Sequence, residues 1–207
     1  MSQFIITIGR EQGSGGRLIA HELSKLMQLP VFDKELINLA SEESGVSKEF
    51  FEKMDEKVGH STFGGLFGLR NSLMDEVLSG NYLSNESLFK IQSDVIRKIA
   101  EEKSVIFLGR CADYVLKDHP RTLNIYISAN LSDRIKRVVE MQNTEEKRAQ
   151  ELIEKMDKKR KAYYNYFSNK TWGKANSYDL CINSSILGIK ETSEFIHQFA
   201  KKRFDIE

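Results

Sequence analysis

Two cysteines in 207 residues, Cys111 and Cys181, are too few and too scattered for a disulfide framework or a zinc site. They suit a reducing cytosol. The four histidines, His21, His60, His119 and His197, show no ligand spacing, and neither CxxC nor HExxH occurs. No serine, histidine and acid constellation is visible, so metal-dependent hydrolysis and acyl transfer have no foothold. No apolar run approaches the roughly 18 residues of a membrane span. The N-terminus enters a strand without the charged start and small-residue cleavage site of a secretory signal. The chain is therefore expected in the cytoplasm, away from membranes. Charge of one sign is also missing: 31 Lys and Arg face 30 Asp and Glu, leaving a net charge of +1. That balance argues against a polybasic nucleic-acid binder and against an acidic tail. Prolines number two, Pro30 and Pro120, each placed where a helix hands over to a strand. No repeat, low-complexity stretch or linker divides the chain, and one domain with a core of useful size is expected.

What the chain does have begins at residue 4. Phe4 to Ile8 form a short apolar run that leads into Gly9, Gly13, Gly15 and Gly16, followed by an amphipathic segment through Met27. This reads as strand, glycine-rich loop and helix. Glycines let successive N–H groups converge on an anion, and the helix adds the positive end of its dipole. Gly13, Ser14, Gly15 and Gly16 are the expected phosphate cradle. The strict loop motif G-x-x-x-x-G-K-[ST] is not met, because Gly15-Gly16-Arg17-Leu18 supplies no lysine and no hydroxyl, and Arg10 stands at the leading glycine. A glycine-rich turn that binds nothing is the competing reading.

Further apolar runs occur at 31–32, 104–109, 123–128 and 178–184. Helical patterns fill 34–44, 47–57, 69–79, 85–102, 131–142, 144–168 and 189–203. Short, nearly continuous apolar strands between helices predict an α/β fold: a parallel five-stranded sheet with helices on both faces. In such sheets ligands bind beyond the carboxyl ends of the strands. Ile8 before the loop, Phe32 before Asp33 and Leu108 before Gly109-Arg110 should gather on that edge.

Arg110 at a strand end suits a bidentate grip on phosphate, with an ion pair to Asp113 or another carboxylate as the alternative. Asp33 is read either as a helix N-cap or as a carboxylate for a substrate hydroxyl or hydrated magnesium. Cys111 lacks a neighbouring histidine and reads as a small core residue. The helix at 144–168 carries Thr144 as its expected cap, then Asp157 and Arg160 three apart on one face, a spacing that Arg134 and Arg137 repeat. Such a helix could close over transferring phosphates, exclude water and neutralise charge. Trp172 either stacks a base or anchors the turn before the last strand. The stretch at 59–68, with four glycines, reads as a loop.

On these residues the chain resembles the cytidylate-kinase-like family of the nucleoside monophosphate kinases, from Phe4 to about residue 200. Arg10 to Leu18 lines up with a GPSGSGKGT loop, SVIFLGRCAD with a strand ending Gly-Arg-Asp, Asp157-x-x-Arg160 with the lid motif, and YDLCINSS with the closing strand. The resemblance implies a single kinase-like domain with a helical substrate-binding insert at 34–100 and a lid at 131–170. It implies transfer of the ATP γ-phosphoryl group to a nucleoside monophosphate, with CMP or dCMP favoured as acceptor. ATP and Mg²⁺, the latter held through nucleotide phosphates and water, are the implied cofactors, and small nucleotides the implied partners; no oligomeric state follows. By carry-over the loop would hold the donor phosphates, Arg110 the acceptor phosphate, and Arg160 would bridge the two. Asp157 would orient that arginine or the acceptor sugar, and Asp33 would join the acceptor site. In ungapped alignment Gly16 stands where the loop lysine belongs; with a loop one residue longer, Arg17 is expected to reach the phosphates in its place. Cys111 replaces the aspartate of Gly-Arg-Asp, which removes a base or sugar contact. A catalytically weak nucleotide-binding regulator on the same fold is the alternative. The 55–85 segment would clamp substrate or mediate contacts.

Overall fold

Strand β1 (Ile5–Arg10) alternates two buried faces, and this alternation organises the whole molecule. In the computed structural model, which describes residues 3–33 and 85–206, Ile5 faces one core and Ile6 and Ile8 the other. The expected helices at 34–44, 47–57 and 69–79, the glycine-rich 59–68, and most of the 34–100 insert lie outside the described residues. After β1 come α1 (Gly16–Met27), β2 (Val31–Phe32), α2 (Asn85–Glu102), β3 (Val105–Leu108) and the short α3 (Ala112–Val115). Then follow β4 (Thr122–Ser128), α4 (Leu131–Gln142), α5 (Glu146–Ser168), a 3₁₀ turn (Ala175–Ser177), β5 (Leu180–Asn183) and α6 (Ser184–Phe204).

The five strands form one parallel sheet in the order β2-β3-β1-β4-β5. Val105 and Phe107 join Ile5 on the face covered by α2, α3 and Tyr163 and Tyr164 of α5. Ile106, Leu108, Leu123, Ile125 and Ile127 join Ile6 and Ile8 on the face covered by α1 and α6, through Ile19, Leu23, Ile196 and Phe204. Because both faces are covered, the strands read as continuous apolar runs. Each fully buried Ile, Leu or Phe contributes about 1.5–3 kcal/mol relative to exposure. Among the described residues no helix is long and apolar enough to cross a membrane.

Register sets up the site. Ile8 pairs with Leu108, where β3 ends, while β1 continues beside β4 until Arg10 pairs with Ile127. The side chain of Arg10 therefore emerges past the end of β3, beside Gly109. Helix α5 starts at Glu146, with Glu145 in the capping position and no side-chain cap. Thr144 is not its cap: its N–H donates to the Val139 carbonyl at 3.4 Å, closing the end of α4 instead. The span of α6 is broken at Gly188, whose φ of 75° is not helical: a first turn, capped by the Asn183 side chain accepting the Ser185 N–H at 3.0 Å, precedes the kink, and the helix expected from 189 follows it.

The C-terminal half of α5 is built into the core through Tyr163 and Tyr164 rather than standing free. Its N-terminal half packs on α4 through Ala149, Ile153 and Val138. Trp172 stands edge-on to Tyr126 of β4, ring centroids 5.4 Å apart, and its backbone N–H donates to Asn165. That contact anchors the passage from α5 to β5.

Candidate active site

The loop between β1 and α1 is wound by Gly13 and Gly15, which take left-handed φ values of 77° and 80°. Ser14 is fully buried beneath it: its hydroxyl donates to the Glu11 carbonyl at 2.9 Å, and its Oγ accepts the Gly16 N–H at 3.4 Å. From below, the Ser184 hydroxyl donates to the Ser14 carbonyl at 2.6 Å. Helix α1 then starts with no side-chain cap, leaving its first N–H groups directed at the loop.

Around this loop the carboxyl edge of the sheet gathers positive charge. Asp33, at the end of β2, receives Arg10 Nη2 at 3.3 Å and is also paired with Arg17. Burial alone would raise its carboxyl, but the charges of Arg10, Arg17 and Arg110 outweigh burial and hold it below the usual carboxylate range. Arg10 is the centre of the group. Burial, and then the repulsion of Arg160, Arg110 and Arg17 against the pull of Asp33, lowers its guanidinium to about 9. Arg160 donates to the Arg10 carbonyl at 3.3 Å and to Gln12 Oε1 at 2.8 Å, and burial lowers its pKa as well. Arg110 sits in a turn where Gly109, Arg110 and Cys111 all take left-handed φ (78°, 59° and 53°), two of them non-glycine residues held in a costly conformation. Such strain at the end of a buried strand marks a position fixed by its surroundings.

A second layer comes from α4 and α5. Asp157 accepts the Gln12 N–H at 2.7 Å, pairs with Arg134 and lies 3.8 Å from Arg160. Arg134 Nε donates to the Gln12 carbonyl at 2.8 Å, and its Nη1 lies 3.4 Å from Glu11, whose carboxylate also accepts the Ala129 N–H. Arg137 donates to the Gly13 carbonyl at 3.1 Å. The loop is thus held on three sides by groups more than a hundred residues away in sequence.

A model of the cytidylate kinase-like family matches residues 5–186. The chain belongs to that family. The match spans every element that builds the site, from β1 to the start of α6. An uncharacterised protein from Eubacterium ventriosum is similar over 96% of this chain and 99% of its own, with 29% identity and a TM-score of 0.71. Shikimate kinase from Acinetobacter baumannii, solved with shikimate, shares 12% identity over 97% of this chain and 94% of its own at a TM-score of 0.53. The shikimate kinase of Bacteroides thetaiotaomicron shares 10% over 98% and 99%, at 0.54. These two show the fold: a P-loop kinase-type sheet. No curated protein matches the chain.

Of the residues singled out by sequence, Arg10's neighbours Arg17, Asp33, Arg110 and Arg160 gather on one edge with the loop of Gly13, Ser14, Gly15 and Gly16. Asp157 joins them through Gln12. Arg17 is the most exposed member, with 54% of its side chain open, and it turns to Asp33. Arg10, Glu11 and Gln12 were not singled out. The one signal for Arg10 was its presence where the loop motif has glycine. Arg134 and Arg137 were visible as a repeated spacing, without a destination. Among the described residues no group of three His, Cys, Asp or Glu could hold a metal ion. Asp33 is paired with Arg10 and Arg17, and the Ser14 hydroxyl donates to the Glu11 carbonyl.

Beneath the site lies a buried network. Tyr164 of α5 donates its hydroxyl to Asp113 at 2.6 Å, and burial pushes the Asp113 carboxyl up despite that bond. Cys111 is buried in the same core. The folded carboxyl holds its proton more tightly than the unfolded one, so ionisation costs stability above the folded pKa, and the cost vanishes below the ordinary 3.8. Asp113→Asn is therefore expected to raise the melting temperature by about 2–4 °C at neutral pH. The gain should shrink as pH falls toward 4, and thermal denaturation of both chains across pH reads it directly. A gain that grew on acidification would contradict the sign.

Proposed function

We propose that the chain is a phosphotransferase that moves the γ-phosphoryl group of ATP to a nucleoside monophosphate in the cytoplasm, with CMP or dCMP as the favoured acceptor. Kinase-type family and fold support phosphoryl transfer in general. The observation that carries the finer reading is the convergence of Arg10, Arg110 and Arg160 on one edge above a glycine loop. Three buried or half-buried guanidinium groups so close repel one another, and a polyanion relieves that repulsion.

Asp33 is engaged by Arg10 and Arg17, and a phosphate acceptor asks no proton transfer of it. A monophosphate oxygen is already anionic at neutral pH. It forms the new bond to the γ-phosphorus while the bond from that phosphorus to the bridging oxygen breaks, the electron pair leaving with ADP. No proton needs to move. Magnesium belongs to the nucleotide in this reading, where it would neutralise phosphate charge; the protein's part is positioning and positive charge.

The test is ADP release from Mg·ATP against CMP, dCMP, UMP, AMP and other phosphorylated acceptors. An acceptor-dependent rate, with Arg110→Ala raising the KM for the monophosphate about tenfold or more and that for ATP less, is expected. The reverse order would exchange the donor and acceptor sites. The second reading, a nucleotide-binding regulator, is favoured by Gly16 and Leu18, which leave the loop without its lysine and hydroxyl. ATP binding without turnover against any acceptor would establish it.

A further inference from the structure

We infer that Arg10 supplies, from the end of β1, the positive charge that the phosphate loop lacks at Gly16. The inference rests on the phosphotransferase reading and deepens it. Two substitutions relative to the loop pattern belong together: an arginine where the loop has its leading glycine, and a glycine where it has its lysine. The geometry joins them. A Cβ at Gly16 would lie 2.7 Å from Arg10 Cβ and 3.1 Å from Arg10 Cγ, so the arginine's stem runs through the space a side chain at Gly16 would take. A Cβ at Gly109 would lie 2.1 Å from Arg10 Nη1, so the guanidinium rests against the strained turn that carries Arg110. Arg10 thus spans from the first turn of α1, on the donor side, to the end of β3, on the acceptor side. It lies between the two places where phosphates would sit.

Its environment fits a cation waiting for an anion. Only 15% of the Arg10 side chain is exposed, against 54% for Arg17. Asp33, the carboxylate it touches, is shared with Arg17, and Arg160, Arg110 and Arg17 all repel it. A phosphoryl group accepting its N–H groups would be neutralised without any proton being lost, and the planar fork could meet two oxygens at once. Arg17 then serves to hold Asp33, and through it Arg10, rather than to touch phosphate.

Calorimetric titration with ATP, in the absence of acceptor, tests this. Arg10→Gln is expected to weaken ATP binding by about ten- to a hundredfold, and Arg17→Gln by distinctly less. Arg10→Lys, which keeps charge but not the fork, should recover part of the affinity. Gly16→Ala leaves every charge in place and displaces the stem of Arg10. It should cost affinity in the natural chain and add little in an Arg10→Gly chain, which lacks the Cβ and Cγ that the new methyl would meet. Equal affinity of Arg10→Gln and wild type, a larger loss in Arg17→Gln, or no ATP binding by the wild type overturns the inference. ATP binding that depends on Arg10, with no transfer to any acceptor, removes the kinase reading and leaves Arg10 in place. Transfer indifferent to Arg10 does the opposite.

Discussion

Arg160→Ala is expected to lower acceptor-dependent phosphoryl transfer by about 10²–10³-fold, mostly in kcat, with a modest change in the KM for ATP. The reason is positional. Arg160 reaches from α5 to the Arg10 carbonyl and the Gln12 side chain, at the seam between donor loop and acceptor edge. A charge there meets the phosphoryl group chiefly while it is in transit, so its removal should spare ground-state binding. Arg160→Lys should recover part of the rate. A fall confined to KM would show instead that Arg160 holds one substrate at rest.

The second large effect is on stability. Asp157 holds the Gln12 N–H, pairs with Arg134 and sits near Arg160, and Arg134 is only 9% exposed at its side chain. Asp157→Ala leaves a backbone donor without this acceptor, and leaves the buried Arg134 guanidinium with its bond to the Gln12 carbonyl and the longer Glu11 contact but without its nearest carboxylate. A loss of about 2–3 kcal/mol is expected, which for a chain of this size is a fall of about 5–10 °C in melting temperature. Asp157→Asn keeps an acceptor for Gln12 but not the charge, and should lie between. Thermal denaturation of the three chains separates the two contributions. An unchanged melting temperature for Asp157→Ala would mean that α5 does not brace the loop.

The sheet could be read from the chain because covering on both faces writes itself locally. Ile5-Ile6-Thr7-Ile8 and Val105-Ile106-Phe107-Leu108 are apolar or β-branched throughout, and a parallel sheet under two layers of helix buries such strings completely. The carboxyl-edge site was legible for the same reason, since the strand ends follow from the strands. What could not be read was the direction of long side chains across the gap between elements. Arg134 was visible as one of two basic residues three apart, yet its partner Gln12 lies 122 residues earlier, a contact that no period encodes. Arg17 was expected to reach the phosphates in the lysine's place, given a loop one residue longer. The helix start turns it toward Asp33, while Arg10, six residues before the lysine's position, crosses the space left by Gly16. Thr144 looked like a cap by residue type, but the turn closing α4 uses its backbone, and α5 begins beyond it.

Trp172 has a consequence for how the molecule can be watched. It is the chain's one tryptophan, set edge-on against Tyr126 at the joint where α5 gives way to β5. Excited selectively, it emits from that joint alone, so any change of colour or brightness on adding nucleotide has a single origin. The protein carries its own optical reporter for the segment linking the arginine-bearing helix to the sheet, and no label need be attached to follow it.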